Sequence, residues 1–164
     1  MKKKCSFLFI IIFVVSIFKF TPGVEAANYE IDFETYSAAI ELVNLDSDTI
    51  VYQKNADARR EPASTTKIMT YIIVAEHISD LENTRITVRK EVIDRLLGTG
   101  SSMSNIQEGD VLTAFQLLNC MMVPSGNDAA EVLADYVGNG SEATFVEMMN
   151  QKAQELGCTN THFA

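Results

Sequence analysis

The segment with the clearest pattern is residues 61–70, which read EPASTTKIMT. It opens an apolar stretch and predicts a helix from about Ser64 to His77. Apolar residues recur around much of this helix, at Ile68, Ile72, Ile73 and Ala75. Since a helix on a protein surface normally has a single apolar stripe, we expect this helix to be buried in the centre of the domain.

Ser64 and Lys67 form a Ser-x-x-Lys pattern at the start of this helix. Residues three apart lie on the same helical face, so the lysine amine can reach the serine hydroxyl. A serine hydroxyl is a poor nucleophile until a base takes its proton, and a buried lysine with a lowered pKa can be that base. The pattern alone is weak evidence, because Ser16 and Lys19 also match it. An N-cap serine followed by a surface lysine is the structural alternative.

A second pattern, Ser-x-Asn, occurs once in the chain, at Ser125 and Asn127. It follows a predicted helix at 114–123, which Thr113 and Gln116 open as a capping box. A turn held by helices on both sides would present a hydroxyl and an amide to a cleft. The structural alternative is an ordinary helix–helix turn, where Ser, Gly and Asn are common.

Together, the two patterns resemble the Ser-x-x-Lys and Ser-x-Asn motifs of penicillin-binding proteins and class A β-lactamases, which also carry a Lys-Thr-Gly motif. Residues 61–70 are similar almost residue for residue to the active-site segment of the D-alanyl-D-alanine carboxypeptidases, the low-molecular-mass penicillin-binding proteins. Residues 123–130, VPSGNDAA, resemble that family's second motif, and residues 52–57 and 160–163 are also similar to it. The resemblance covers roughly residues 38–164.

The resemblance implies a serine peptidase that removes the terminal D-alanine from peptidoglycan stem peptides. Ser64 would attack the carbonyl between the two terminal D-alanines and form an acyl-enzyme, which water hydrolyses. Lys67 would be the base, Ser125 would relay a proton to the leaving amine, and Asn127 would bind the substrate amide and help to hold Lys67. β-Lactam antibiotics would acylate Ser64 as covalent inhibitors. Neither a metal nor an organic cofactor is implied.

The order of elements predicts a hairpin followed by a mostly helical part, an α/β (α+β) arrangement, and the resemblance implies a fold of the β-lactamase and DD-peptidase type. Apolar and β-branched residues on both sides of a polar turn at 46–48 predict an antiparallel hairpin. A mostly helical part follows, with a short strand at 85–88, a loop at 98–109, and helices at 91–97, 114–123, 128–137 and 141–156, the last capped by Gly157. We expect residues 27–164 to form the N-terminal part of one DD-peptidase domain whose remaining sheet strands are missing from this chain.

Residues 1–26 have the pattern of a secretory signal peptide. Lys residues at 2–4 precede an uncharged apolar run of 14 residues from Cys5 to Phe18, and small residues precede the predicted cleavage between Ala26 and Ala27. We therefore expect an exported protein that acts in the cell envelope or is secreted. An N-terminal membrane anchor is the alternative, although a spanning helix needs ~20 apolar residues.

The chain after this segment is strongly acidic. Removing the segment's four Lys and one Glu from 13 basic and 22 acidic side chains leaves 9 and 21, a net charge of −12. Nucleic-acid binding depends on Lys and Arg that neutralise phosphates, so this composition argues against a nucleic-acid partner. It also argues against docking on anionic lipid through a basic patch, and membrane association is expected only through residues that this chain lacks.

No Lys-Thr-Gly motif follows the Ser-x-Asn motif, and the GTG at residues 98–100 lacks the basic residue and precedes it. In the family, the third motif lies on a strand that contacts the substrate. We therefore expect an incomplete chain that is inactive alone, with a truncated or degenerate non-catalytic paralogue as the alternative. A class A β-lactamase is a further alternative, but its Glu-x-x-Leu-Asn stretch is absent. A Ser-His-Asp hydrolase would need a Gly-x-Ser-x-Gly elbow, which is also absent.

Overall fold

The computed structural model describes residues 34–164. The predicted signal peptide and its cleavage site lie outside the described residues. The chain divides into two compact units, one ending at Glu61 and the other running from Pro62 to Ala164, and the single-domain organisation stays a prediction. Within the described residues, no helix is both long enough and apolar enough to cross a membrane.

The first unit contains the predicted hairpin. Strand β1 (Ile40–Asn44) pairs antiparallel with β2 (Thr49–Lys54). The side-chain oxygen of Asn44 accepts the backbone N–H groups of Asp46 at 2.9 Å and Ser47 at 3.2 Å. These bonds satisfy the backbone of the turn, so the polar residues predicted to reverse the chain do so.

The second unit is mostly helical. A 3-10 turn at Ala63–Thr65 leads into α1 (Thr66–His77), and the remaining elements are β3 (Arg85–Thr87), α2 (Lys90–Leu96), β4 (Val111–Thr113), α3 (Ala114–Met122), α4 (Asn127–Val137) and α5 (Glu142–Glu155). Strands β3 and β4 pair antiparallel. The predicted helices and the predicted strand are confirmed to within two residues. Strand β4 was not predicted, because its three residues are too few to show an alternating pattern.

Two helix ends follow the predicted signals. The Thr113 side chain accepts the N–H of Gln116 at 3.1 Å, and the Gln116 side chain accepts the N–H of Thr113 at 2.9 Å, which completes the capping box of α3. Gly157 follows α5 with a φ of 77°, a conformation that glycine adopts without a steric cost. The ends of these helices are therefore set largely by local chemistry.

Helix α4 is the centre of the second unit and packs against α1, α2, α3 and α5. Apolar side chains from these helices form the buried core, among them Ile73, Val74, Leu117, Met121, Leu133 and Phe145. Dense packing of this kind leaves little freedom to shift one helix against another. The core therefore fixes the start of α4 beside the start of α1.

Helix α1 is buried on one side only. Ile73 and Val74 lie in the core, whereas Ile68 and Tyr71 are 54% and 43% exposed. The expectation that this helix is buried in the centre of the domain therefore holds for one of its faces and not for the face with Ile68 and Tyr71. Its apolar residues are spread over more than one face, and only the face that carries Ile73 and Val74 packs into the core.

Candidate active site

Ser64 lies in the 3-10 turn that precedes α1. The sequence predicts it at the start of the α-helix, but the α-helix begins two residues later, at Thr66. The preceding Ala63 has a φ of 48°, a left-handed conformation that costs an L-residue roughly 1–2 kcal/mol. Strained residues of this kind cluster at functional sites. Here the strained turn presents an exposed serine hydroxyl at the end of a helix anchored in the core.

Lys67 is the centre of a polar cluster. Its side chain is buried, at 8% exposure. The Lys67 Nζ donates to Asn127 Oδ1 at 2.5 Å and to the Oγ atoms of Ser64 and Ser125 at 3.4 Å each. Burial lowers the pKa of the Lys67 amine from its ordinary value of 10.5, because the ammonium ion loses hydration. A lowered pKa favours the neutral amine, which is the form that can accept a proton.

Ser125 reaches this cluster from the turn between α3 and α4. Its Oγ donates to Ser64 Oγ at 2.8 Å, and Asn127 is the first residue of α4. The structure therefore brings together all four residues that the sequence singles out, although Lys67 and Ser125 are 58 positions apart in the chain. The role of each residue stays a prediction.

The cluster offers two routes for a proton from the Ser64 hydroxyl. One leads directly to Lys67, and the other passes through Ser125, which contacts both groups. The 3.4 Å separations are longer than a usual hydrogen bond, but such contacts are often long before substrate binds. A nucleophile and a base within reach of each other form the basic unit of nucleophilic catalysis.

A cavity of about 430 Å³ opens beside this cluster. Its walls include Ser64, Lys67 and Asn127, together with Glu131 from α4 and Phe145 from α5. The volume falls within the ~300–1,000 Å³ that is typical of small-molecule sites. The exposed hydroxyl of Ser64 therefore faces a space that a peptide terminus can enter.

Glu131 lines this cavity but was not identified from the sequence. It follows Asn127 by four positions on α4, a spacing that places two side chains on one helical face and could have indicated it. Burial and then the Glu142 charge raise the pKa of the Glu131 carboxyl, while the Arg95 charge partly opposes them. Glu131 Oε2 is buried without a hydrogen bond. The Arg95 guanidinium lies 3.5 Å away as an ion pair without hydrogen-bond geometry.

Across residues 34–164, no group of three or more His, Cys, Asp or Glu side chains is arranged to hold a metal ion. The sequence-based expectation of a reaction without a metal or an organic cofactor stays a prediction.

The family model described as D-alanyl-D-alanine carboxypeptidase matches residues 25–164. The chain belongs to this family. The D-alanyl-D-alanine carboxypeptidase of Streptomyces sp. strain K15 is 40% identical over 126 residues, which cover 74% of this chain and 43% of that protein. The D-alanyl-D-alanine carboxypeptidase DacF of Bacillus subtilis strain 168 is 34% identical over 134 residues, which cover 82% of this chain and 33% of that protein.

Solved structures of the family are similar to this chain. The D-alanyl-D-alanine carboxypeptidase DacD from Francisella tularensis gives a TM-score of 0.71 at 38% identity, over 86% of this chain and 33% of that one. The Streptomyces K15 DD-transpeptidase gives 0.73 at 37% identity, over 80% of this chain and 53% of that one. The chain thus spans a third to about half of these relatives. Over that part, the predicted DD-peptidase fold is confirmed.

Proposed function

We propose that this protein is a serine-type D-Ala-D-Ala carboxypeptidase of the cell wall. It removes the terminal D-alanine from peptidoglycan stem peptides through an acyl-enzyme on Ser64. The observation that carries the proposal is the buried Lys67 amine in contact with Ser64, Ser125 and Asn127. Because the chain spans 43% or less of the two curated relatives, the proposal concerns the activity of the whole protein.

In acylation, the neutral Lys67 amine takes the proton of Ser64, and Ser64 Oγ attacks the carbonyl carbon between the two terminal D-alanines. A C–O bond forms and gives a tetrahedral oxyanion, which collapses and breaks the C–N bond. Ser125 gives its proton to the leaving nitrogen and recovers one from the Lys67 ammonium. D-Alanine leaves with a neutral amine, and Lys67 is neutral again. The 3.4 Å contact between Lys67 Nζ and Ser125 Oγ supports this relay, and the 2.8 Å contact between the two serine hydroxyls places Ser125 beside the reacting carbonyl.

In deacylation, water is the nucleophile and Lys67 is again the base. Lys67 takes a proton from a water molecule as its oxygen attacks the ester carbonyl. The tetrahedral adduct collapses, Ser64 Oγ leaves, and the proton held on Lys67 returns to it. The product is a carboxylic acid, which gives its remaining proton to bulk water, so the shortened peptide departs as a carboxylate. One base therefore serves both half-reactions.

Asn127 has a binding role in this proposal. Its Oδ1 accepts from Lys67 Nζ at 2.5 Å, so its amide nitrogen is the end that remains to donate to a substrate carbonyl. The amide thus fixes the base and the substrate with its two ends. β-Lactams enter by the same route and remain on Ser64 as stable esters.

The test of this proposal is labelling of the intact protein with a fluorescent penicillin, followed by digestion and mass spectrometry. We expect the adduct on the peptide that contains Ser64, and none in Ser64→Ala. Ser47→Ala, in the exposed turn of the hairpin, is the matched control and should label normally. We also expect D-alanine release from diacetyl-lysyl-D-alanyl-D-alanine.

Label on Ser125, or label that survives Ser64→Ala, would contradict the assignment of the nucleophile. Rapid turnover of penicillin would favour a β-lactamase. A folded protein that neither labels nor releases D-alanine would favour a non-catalytic paralogue.

A further inference from the structure

Asp128, one residue after the Ser-x-Asn motif, is a completely buried carboxylate at 0% exposure. Both of its oxygens accept the N–H of Ser104 at 2.9 Å, Oδ2 also accepts the N–H of Ile106 at 3.1 Å, and Oδ1 accepts that of Ala129 at 2.9 Å. A buried charge is costly unless hydrogen bonds replace its hydration. The carboxylate therefore holds two backbone groups of the loop before β4 against the start of α4.

The loop that Asp128 holds, residues 102–106, also contacts the turn that carries Ser125. The Ser102 carbonyl accepts the N–H of Asn127 at 2.8 Å. The Ser104 hydroxyl donates to the Cys120 carbonyl at 2.8 Å, and that carbonyl also accepts the N–H of Gly126 at 3.1 Å. The loop, the end of α3 and the first residues of α4 thus share one hydrogen-bond network.

The turn that this network surrounds is strained and tightly packed. Ser125 has a φ of 62°, and a residue other than glycine keeps that conformation only where its surroundings enforce it. A Cβ atom at Gly126 would overlap the Ser104 hydroxyl and lie 2.7 Å from Asp128 Oδ1 and 2.8 Å from the Cys120 carbonyl oxygen. The turn therefore packs against the Asp128 carboxylate itself and against the side chain of Ser104, whose backbone N–H the carboxylate binds.

We propose that Asp128 is a positioning residue, which uses the loop at residues 102–106 to fix Ser125 and Asn127 against Lys67. This inference rests on the proposed function, because its effect on catalysis passes through those two side chains. The carboxylate itself is enclosed by backbone and does not reach the cavity. Its contribution is the placement of the proton relay and of the amide that holds the base.

The first test is amide hydrogen exchange in Asp128→Asn. This change keeps the shape of the side chain but turns one acceptor into an N–H₂ group that faces backbone donors. We expect faster exchange at Ser104, which loses one of its two acceptors, and at Ile106 or Ala129, whichever then faces the amide nitrogen. We also expect faster exchange at Gly126 and Asn127, which contact the same loop. Unchanged exchange at Gly126 and Asn127 would overturn the inference.

The second test is a double-mutant cycle on the rate of Ser64 acylation by labelled penicillin. Displacement of catalytic groups by a fraction of an ångström is costly, so we expect Asp128→Asn to slow acylation about tenfold or more. In a Ser125→Ala/Asn127→Ala background, which lacks both side chains that Asp128 is proposed to fix, it should slow acylation by about twofold or less, since coupled residues are not additive. Equal slowing in both backgrounds would indicate general loss of structure and overturn the inference.

Asp135→Asn is the matched control. Asp135 is also a buried carboxylate on α4, but its side chain hydrogen-bonds to Arg89 and lies 3.9 Å from Arg95, rather than bonding to the turn or the loop. We expect it to lower thermal stability without changing the acylation rate. A slowing equal to that of Asp128→Asn would remove the special role of Asp128.

Ser104→Ala keeps the inference testable if Asp128→Asn does not fold, because it removes only the hydroxyl that reaches the Cys120 carbonyl. We expect a smaller but measurable slowing of acylation, and a normal rate would overturn the inference. If the unmodified protein does not react with penicillin while Asp128→Asn accelerates exchange at the turn, the proposed function falls and the structural role of Asp128 stands.

Discussion

Lys67 Nζ lies 2.5 Å from Asn127 Oδ1, although 60 residues separate the two in sequence. The contact joins the first turn of α1 to the first residue of α4. Because Lys67 is buried, this hydrogen bond is shielded from water and is stronger than the same pair would be on the surface. Any shift of α4 against α1 therefore moves the proposed base relative to Ser64.

Lys67→Arg tests the role of this amine. The change keeps the positive charge, but a guanidinium has a pKa above ~12 and cannot serve as a base near neutral pH. We expect acylation of Ser64 by labelled penicillin to fall by ~10²–10⁴-fold, the usual contribution of general base catalysis. Circular dichroism and the melting temperature control for folding. Near-normal acylation in the folded variant would show that Lys67 is a structural or binding cation.

The pH dependence of acylation tests the state of the same group. The reactive form is the neutral amine, and burial lowers the pKa of Lys67 from 10.5. The acylation rate should therefore rise with pH as Lys67 loses its proton, and it should level off at a pH below 10.5. Stopped-flow measurements with a chromogenic β-lactam give this profile. A rise that continues to the ordinary lysine value would contradict a lowered pKa.

Local chemistry made much of this fold predictable. The capping residues Thr113 and Gln116 mark the start of α3 to the residue. The spacing of Ser64 and Lys67 predicted that the hydroxyl and the amine can meet, because helix geometry sets the distance between positions three apart. Even so, the 3-10 turn at Ser64 was not predicted, because nothing in the sequence indicates the left-handed conformation of Ala63.

Contacts between distant segments could not be predicted in the same way. Asp128 meets Ser104 across 24 positions, and Arg89 meets Asp135 across 46. Each is one of many charged or polar residues, so no spacing rule selects its partner. Only the resemblance to a family predicted that Ser125 and Ser64 share one site. That prediction came from the family's known motifs and not from a physical pattern in the sequence.

The position of the mature N-terminus is a separate prediction. The basic, apolar and small-residue pattern of residues 1–26 predicts cleavage after Ala26. N-terminal sequencing of protein recovered from outside the cytoplasm should therefore begin at Ala27. An intact Met1 on a membrane-embedded product would instead support the anchor.

Glu131→Gln tests the electrostatics of the cavity wall. Burial, then Glu142, raises the pKa of the Glu131 carboxyl in the folded protein, and Arg95 only partly offsets this. A carboxyl with a raised folded pKa favours unfolding once it is ionised, and this penalty disappears as the pH falls through the folded pKa to below the unfolded value. The neutral amide should thus raise the melting temperature near neutral pH by up to a few degrees, and the difference should shrink below the ordinary glutamate pKa of 4.5.

Asp135→Asn, one turn later on α4, is the control and should lower the melting temperature near neutral pH, because its carboxylate accepts two hydrogen bonds from Arg89. A lower melting temperature for Glu131→Gln near neutral pH would mean that the 3.5 Å ion pair with Arg95 outweighs the cost of burying the charge.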